Sequence, residues 1–280
     1  MDGENPMSPK NDPVRLIAVD VDGTLLNSQH QMSKRTERAL KEALAQRVAV
    51  VLATGKTYYS AREVRQRLRL TTPGIYLQGL LICEADGTVR RERTLAPEIV
   101  RRMVEFAEET GHTLVAYSRM RVLAGRRNEH TDKLRDYHEP EPEIIGSLRG
   151  LADSTPVNKI ILFTEPESIE ELRKALKSQV DGTARVVQSL PDVLEILPPG
   201  ASKGEALRLL LNDLGVDPRH VMAIGNAEND VEMLQVAGIG VAVGNATPPA
   251  LAAADHVVAS NDEDGVAEAV ERFVLGKGTR

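Results

Sequence analysis

The sequence has one cysteine, no surplus of basic residues, and no apolar run near the ~20 residues that cross a bilayer. Each shortage removes a class of protein. A single thiol, Cys83, cannot close an intrachain disulfide, so the chain is expected to rely on its core in a reducing, cytoplasmic setting, with Cys83 buried and structural rather than catalytic. Lys and Arg total 35 against 41 Asp and Glu, a formal net charge of -6. Nucleic-acid binding needs a basic face toward phosphates, and this balance argues against it. The N-terminus lacks the basic-then-apolar pattern of a secretion signal, and its acids argue against an organellar transit peptide. Internal repeats and low-complexity tracts are also missing. Small molecules remain as the expected partners.

At 280 residues the chain can bury a sizeable core and favours two lobes over one. Residues 1–12, with Asp2, Glu4, two prolines and no apolar run, predict a disordered tail. Leu16-Ile17-Ala18-Val19 is a continuous apolar run of the kind that forms a parallel strand buried on both faces. It delivers Asp20-Val21-Asp22-Gly23-Thr24 to the strand's carboxyl end, the edge where open α/β sheets bind ligands. Two acids two positions apart point to one side of an extended backbone, while Gly23 permits a sharp turn and Thr24 adds a hydroxyl. A carboxylate held this way can attack phosphorus if a cation offsets the repulsion between anions, and its neighbour can handle the proton. The plain alternative is a polar turn without chemistry, since Asp and Gly are ordinary turn residues.

A helix capped by Ser33 and a buried strand over 48–53 follow, ending in Thr54-Gly55-Lys56, where a hydroxyl and backbone amides suit a phosphate. A helix over 60–70 carries several arginines on a solvated face, and Ile75-Tyr76-Leu77 starts a third strand running into Gln78-Gly79. The texture then changes. Asp86-Gly87 between apolar pairs reads as a hairpin turn, and helices mix with strands as far as Leu197, the pattern of an α+β lobe. Within it, residues 119–143 form a long charged stretch without a readable pattern. Pro198-Pro199-Gly200 marks a boundary, after which Ser202 and Glu205 form a capping box at the mouth of a Leu-rich helix. Lys203 therefore sits at a helix N-terminus. It either reaches solvent, the reading favoured in isolation, or meets an anion drawn to the same place. Val221 to Ile224 is a further buried strand that delivers Gly225-Asn226-Ala227-Glu228-Asn229-Asp230 to the sheet edge. His256 reads as a strand-edge residue.

These patterns predict a doubly wound, Rossmann-like parallel-sheet core with an inserted α+β cap. The core is expected over 13–83 and 197–280, and the cap over 84–196. Asp20-Val21-Asp22-Gly23-Thr24, Thr54-Gly55, Ser202-Lys203-Gly204 and Gly225-Asn226-Ala227-Glu228-Asn229-Asp230-Val231-Glu232-Met233 resemble, in order, the four motifs of the haloacid dehalogenase superfamily. The position of the cap is similar to that of the Cof-type sugar-phosphate phosphatases. The resemblance covers nearly the whole chain after residue 13. It implies a magnesium-dependent phosphatase acting on a small phosphorylated metabolite through an aspartyl phosphate. It further implies Asp20 as nucleophile and Asp22 as general acid and then base. Thr54, Gly55, Lys203 and Asn229 would hold phosphoryl oxygens, with Asp20, Asp22, Asn226 and Asp230 around the metal.

The sequence departs from that pattern where Asn226 replaces the usual Asp, Lys56 stands where Arg is frequent, and Gln78 stands where Asn is common. Asn226 motivates the reading of a binding protein without turnover. A phosphomutase is the other alternative, for which Arg119, Arg121, Arg126 and Arg127 would supply a second phosphate site.

Overall fold

The computed structural model describes residues 13–136 and 138–277, and the tail expected over 1–12 lies outside them. In chain order the elements are β1 (Leu16–Val19), α1 (Lys34–Ala45), β2 (Ala49–Leu52), α2 (Arg62–Leu68), β3 (Gly74–Tyr76), β4 (Leu81–Cys83) and β5 (Val89–Glu92). Then come α3 (Pro97–Thr110), β6 (Leu114–Ser118), β7 (Arg121–Ala124), α4 (Glu129–Lys133), β8 (Glu143–Ile144), α5 (Leu151–Ser154), β9 (Lys159–Phe163), α6 (Ile169–Val180), β10 (Arg185–Leu190) and β11 (Val193–Leu197). The chain closes with α7 (Lys203–Leu214), β12 (Val221–Gly225), α8 (Val231–Val236), β13 (Ile239–Ala242), α9 (Pro248–Ala253), β14 (His256–Val257) and α10 (Gly265–Phe273). They form two compact units. One holds the residues through Ala53, Arg67–Thr72 and those from Lys203 onward; the other holds Thr54–Gln66 and Pro73–Ser202.

The first unit is built on a five-stranded parallel sheet in the order β14-β13-β12-β1-β2. Its β1 lies inside the sheet, with Leu16, Ile17, Ala18 and Val19 all at 0% exposure, as an uninterrupted apolar run requires. In register, Val19 stands opposite Ile224 on β12 and Leu52 on β2. Helices cover the sheet through apolar stripes such as Leu40 and Ala43 on α1 and Leu207, Leu210 and Leu211 on α7, each fully buried Leu contributing about 1.5–3 kcal/mol. Ser33 caps α1 by accepting from the Thr36 amide at 3.0 Å. Arg35 on α1 pairs with Glu271 on α10 at 2.7 Å.

The second unit holds a six-stranded sheet in the order β10-β11-β9-β6-β7-β8, antiparallel except for the β7–β8 pair. Strand alternation sorts its side chains. Leu114 and Ala116, Ile160 and Leu162, and Leu194 and Ile196 pack on Ile99, Met103, Leu172 and Leu176 of α3 and α6, while Tyr117, Lys159 and Glu195 take the alternate positions and are nonetheless buried. A separate three-stranded antiparallel sheet, β3-β4-β5, contains the Asp86-Gly87 hairpin.

Two expectations differ from this arrangement. The strand expected from Ile75 onward does not extend the parallel sheet, because it ends at Tyr76 and pairs antiparallel with β4. Leu77, Gln78 and Gly79 follow with φ of 50°, 59° and 95°, a left-handed turn that no strand continues through. The charged stretch over 119–143 is also more ordered than its composition suggests. It holds β7, whose Val122, Leu123 and Ala124 are buried among charges, and α4, closed by a capping box between Asn128 and Thr131. Among the described residues, no helix is long and apolar enough to cross a membrane.

Candidate active site

Parallel pairing of β1 with β12 continues one residue past the strand, where the Asp20 amide donates to the Ile224 carbonyl at 3.0 Å. This brings the acidic turn after β1 beside the 225–230 loop after β12. Lys203, the first residue of α7, reaches in between. Its Nζ donates to Asp20 Oδ1 at 2.6 Å and to Asp230 Oδ1 at 2.8 Å. All three are buried, with Lys203 at 1%, Asp20 at 4% and Asp230 at 0% exposure. The solvent-directed reading of Lys203 is thereby corrected: two carboxylates supply the anionic partners that its place on a helix N-terminus leaves wanting.

Burial pushes the Asp20 carboxyl up to about 7, against the pull of the Lys203 ammonium and with a further push from Asp230. Burial also disfavours the charge on Lys203, but the two carboxylates outweigh it and hold its pKa above the ordinary lysine value. Lys203 is therefore a permanent cation. Asp230 has a second task, because its Oδ2 accepts from the Asn226 amide at 2.9 Å and the Ala227 amide at 3.0 Å, fixing the loop that carries it. Gly225 makes that possible: a Cβ there would lie 2.6 Å from the Asp230 Cβ.

Asp22 differs from Asp20. Its side chain is 35% exposed, and its Oδ1 lies 3.6 Å from Nδ1 of His30. Gly23 turns the chain with φ +72°, and a Cβ on it would meet the Asn226 amide nitrogen at 2.5 Å. Thr24 Oγ1 donates to Asn226 Oδ1 at 3.1 Å, and Asn245 Nδ2 donates to the Gly23 carbonyl at 2.8 Å. Asn229 is exposed on the short turn before α8.

The structure thus gathers Asp20, Asp22, Lys203, Asn226 and Asp230 in the first unit. Thr54 and Gly55 fall in the second unit, where Thr54 is fully buried and its hydroxyl accepts from the Lys56 amide at 3.1 Å, leaving the hydroxyl proton to be donated. Sequence reasoning missed the roles of Thr24, His30 and Asn245. Thr24 was noted as a hydroxyl alone, and Asn245 follows β13, a neighbour of β12 in the same sheet. The arginines expected to offer a second phosphate site are largely matched by acids: Arg119 pairs with Glu92, Arg121 with Glu143, and Arg127 with Asp132 and Glu141.

Among the described residues, no three His, Cys, Asp or Glu side chains are arranged as a metal site. The groups gathered there are instead oxygens of mixed kind: the Asp20 carboxylate beside Lys203, and the Asn226 amide oxygen held by Thr24 of the acidic turn. The Thr24 hydrogen bond fixes that amide oxygen toward the acidic turn. Such a set fits a hard cation of the magnesium type and does not suit a soft one.

The family of haloacid dehalogenase-like hydrolases matches residues 17–270. A chloroplastic protein of Arabidopsis thaliana named as the endoribonuclease YBEY is 39% identical over 92% of this chain, which spans only 46% of that relative. The putative phosphatase YxeH of Bacillus subtilis is 30% identical, over 94% of this chain and 99% of its own. Among solved structures, a haloacid dehalogenase-like hydrolase from Bacteroides thetaiotaomicron superposes with a TM-score of 0.85 at 30% identity, covering 92% of this chain and 99% of that one.

Proposed function

The chain belongs to the haloacid dehalogenase-like hydrolases, and we propose that it is a phosphatase that hydrolyses small phosphomonoesters through a phosphoaspartate on Asp20, with magnesium as cofactor. The observation that carries this reading is the buried lysine between two buried carboxylates, one of them at the end of the inner strand β1. A lysine so placed can keep Asp20 ionised for attack and then meet charge on the phosphoryl oxygens.

In the proposed sequence an Asp20 oxygen forms a bond to phosphorus as the ester P–O bond breaks, and Asp22 gives its proton to the departing oxygen. Asp22 then takes a proton from water, which attacks the phosphoaspartate, and the Asp20–phosphorus bond breaks to release orthophosphate. The partial exposure of Asp22 supports both tasks, since leaving group and water must each reach it. Lys203, Thr54, Gly55 and Asn229 are the proposed contacts to phosphoryl oxygens. Asp20, the Asp22 carbonyl and Asn226 would hold the cation, with Asp230 supporting them through Lys203 and the loop amides. Magnesium, when bound, would offset the charge between the carboxylates and the approaching phosphate.

Hydrolysis is favoured over a mutase reaction because three of the four cap arginines offered for a second phosphate are already ion-paired. Selection of the leaving group is assigned to the segment 84–196, and a cytoplasmic setting is consistent with the lone Cys83, whose thiol burial pushes up to about 12. A panel of phosphomonoesters assayed with magnesium, with Asp20→Asn as blank, tests the reading. Orthophosphate release by wild type alone supports it, and equal release by Asp20→Asn refutes it.

A further inference from the structure

The second unit contains a buried ionic cluster that the proposed chemistry does not use. Lys159 on β9 and Glu195 on β11 are 4% and 5% exposed, and the Lys159 Nζ donates to Glu195 Oε2 at 3.2 Å while lying 4.6 Å from the centre of the Tyr117 ring. The same Glu195 Oε2 accepts a third group, Nε2 of Gln78, at 3.1 Å. A buried ion pair of this kind costs desolvation, and replacing it by apolar residues is often neutral or stabilising, so its presence is poorly explained by stability alone.

Gln78 lies in the middle of the left-handed run Leu77, Gln78, Gly79, a conformation that costs a non-glycine residue free energy. That run grips one short segment. The Leu77 amide donates to the Lys56 carbonyl and the Gln78 amide to the Thr54 carbonyl, both at 3.0 Å. The Gln78 side chain also packs over Gly55, where a Cβ would stand 3.4 Å from the Gln78 Cγ. The residue that crosses Gly55 is therefore the one whose far end is tied to the ion pair on the sheet.

We propose that Gln78 is a positioning residue for the Thr54–Lys56 turn, held in its left-handed conformation by the Glu195–Lys159 pair, so that the cap sheet sets the geometry in which the turn meets phosphate. The inference rests on the reading that Thr54 and Gly55 contact the phosphoryl group. Its physical content is the hydrogen bond from Nε2 to a buried carboxylate, a bond to a charged group that is stronger than a neutral one. Without it, the Gln78 side chain loses its tie to the sheet, and the turn it grips can shift by the fraction of an ångström that spoils oxyanion contacts.

The probe is inorganic phosphate, measured as a competitive inhibitor of the magnesium-supplemented full chain and by calorimetry. Three variants are compared: Gln78→Met, which keeps length but has no donor; the double variant Lys159→Met with Glu195→Gln, which removes both charges but keeps an oxygen for Nε2; and Thr54→Val. Gln78→Met is expected to raise the phosphate inhibition constant about tenfold, the scale of one lost hydrogen bond to a charged group, with the loss concentrated there and not in kcat. The double variant is expected to lose less, about threefold, because a neutral amide still accepts from Nε2 but the stronger bond to a charged group is gone. Thr54→Val should weaken phosphate binding as well.

A wild-type inhibition constant in Gln78→Met beside a weakened Thr54→Val overturns the positioning role and leaves the phosphate assignment standing. Unchanged phosphate binding in Thr54→Val overturns the assignment itself. Wild-type phosphate binding in the double variant beside a weakened Gln78→Met overturns the part assigned to the Glu195–Lys159 pair. If Gln78→Met fails to fold, Gln78→Leu carries the same comparison, and failure of both to fold while the double variant folds normally overturns the role in favour of a purely structural one.

Discussion

Thr24 Oγ1 donates to Asn226 Oδ1 at 3.1 Å, joining two loops 202 positions apart in sequence. A carboxylate at 226 could accept the same bond, so the contact does not require an amide. What the amide changes is charge beside the proposed cation site. Asn226→Asp is therefore expected to lower the magnesium concentration for half-maximal activity by about tenfold, the scale on which changes around a ligand set act. The magnesium-dependent shift of the melting temperature should move with it. Unchanged dependence in both measurements removes Asn226 from the metal site.

Lys203→Met should be costly before any substrate is added. It leaves Asp20 and Asp230 buried at 4% and 0% exposure without their common cation, and removing one partner of such a pair typically costs about 3–5 kcal/mol. Urea unfolding without divalent cations reads the loss. Adding Asp230→Asn should recover part of it by removing one unpaired charge, and a double variant no more stable than Lys203→Met contradicts the assignment.

For Asp22→Asn the expected loss is in turnover, by about 10²–10⁴-fold, with phosphate binding far less affected. The side chain is 35% exposed, so the substitution should leave stability nearly unaltered. Turnover at the wild-type rate would assign proton transfer elsewhere.

Gly225→Ala places a methyl group 2.6 Å from the Asp230 Cβ. Asp230 must move, and the Asn226 and Ala227 amides lose their shared acceptor. A destabilisation of about 1–3 kcal/mol is expected, together with reduced kcat. Wild-type activity and stability would show that the loop tolerates displacement of its anchor.

Glu37 contributes to the pH dependence of stability. Hydrogen bonds from Lys41 and Arg67 hold the Glu37 carboxyl down to about 2. Because that value lies below the unfolded one of about 4.3, the contribution is fully present above the unfolded pKa and lost as pH falls through the folded one. Thermal unfolding of wild type and Glu37→Gln should differ at pH 7, differ almost as much near pH 5, and converge toward pH 2. A difference that grows on acidification would reverse the sign.

Much of the first unit was legible because its strands are uninterrupted apolar runs, and such runs deliver their following residues to one edge. Asp20, Asp22, Asn226 and Asp230 were found in that way. Lys203 was not placed by periodicity, since the favourable partner of a lysine at a helix N-terminus is a three-dimensional fact. Thr24 was seen as a hydroxyl but not as the partner of Asn226, a contact no local pattern encodes. In the second unit, β7 was hidden because its three buried residues are flanked by arginines. The strand at Ile75 was recognised, yet its pairing depended on the left-handed turn at 77–79, which Leu and Gln do not announce.

The sheet order β14-β13-β12-β1-β2 also dictates when a nascent chain can become an enzyme. Strand β1 is made early, but its neighbour β12 and the lysine 183 positions after Asp20 leave the ribosome only after the whole second unit has been synthesised. During translation, β1 therefore presents an unpaired, fully apolar edge while the interposed unit, whose sheet contacts all lie within its own segments, is free to fold ahead of it. Long-range pairing of this kind is slow to close. A translational pause or truncation before residue 203 would leave Asp20 buried by nothing and matched by no cation, so that charge neutralisation and strand closure in the first unit are completed together, once Lys203 and β12 have both been made.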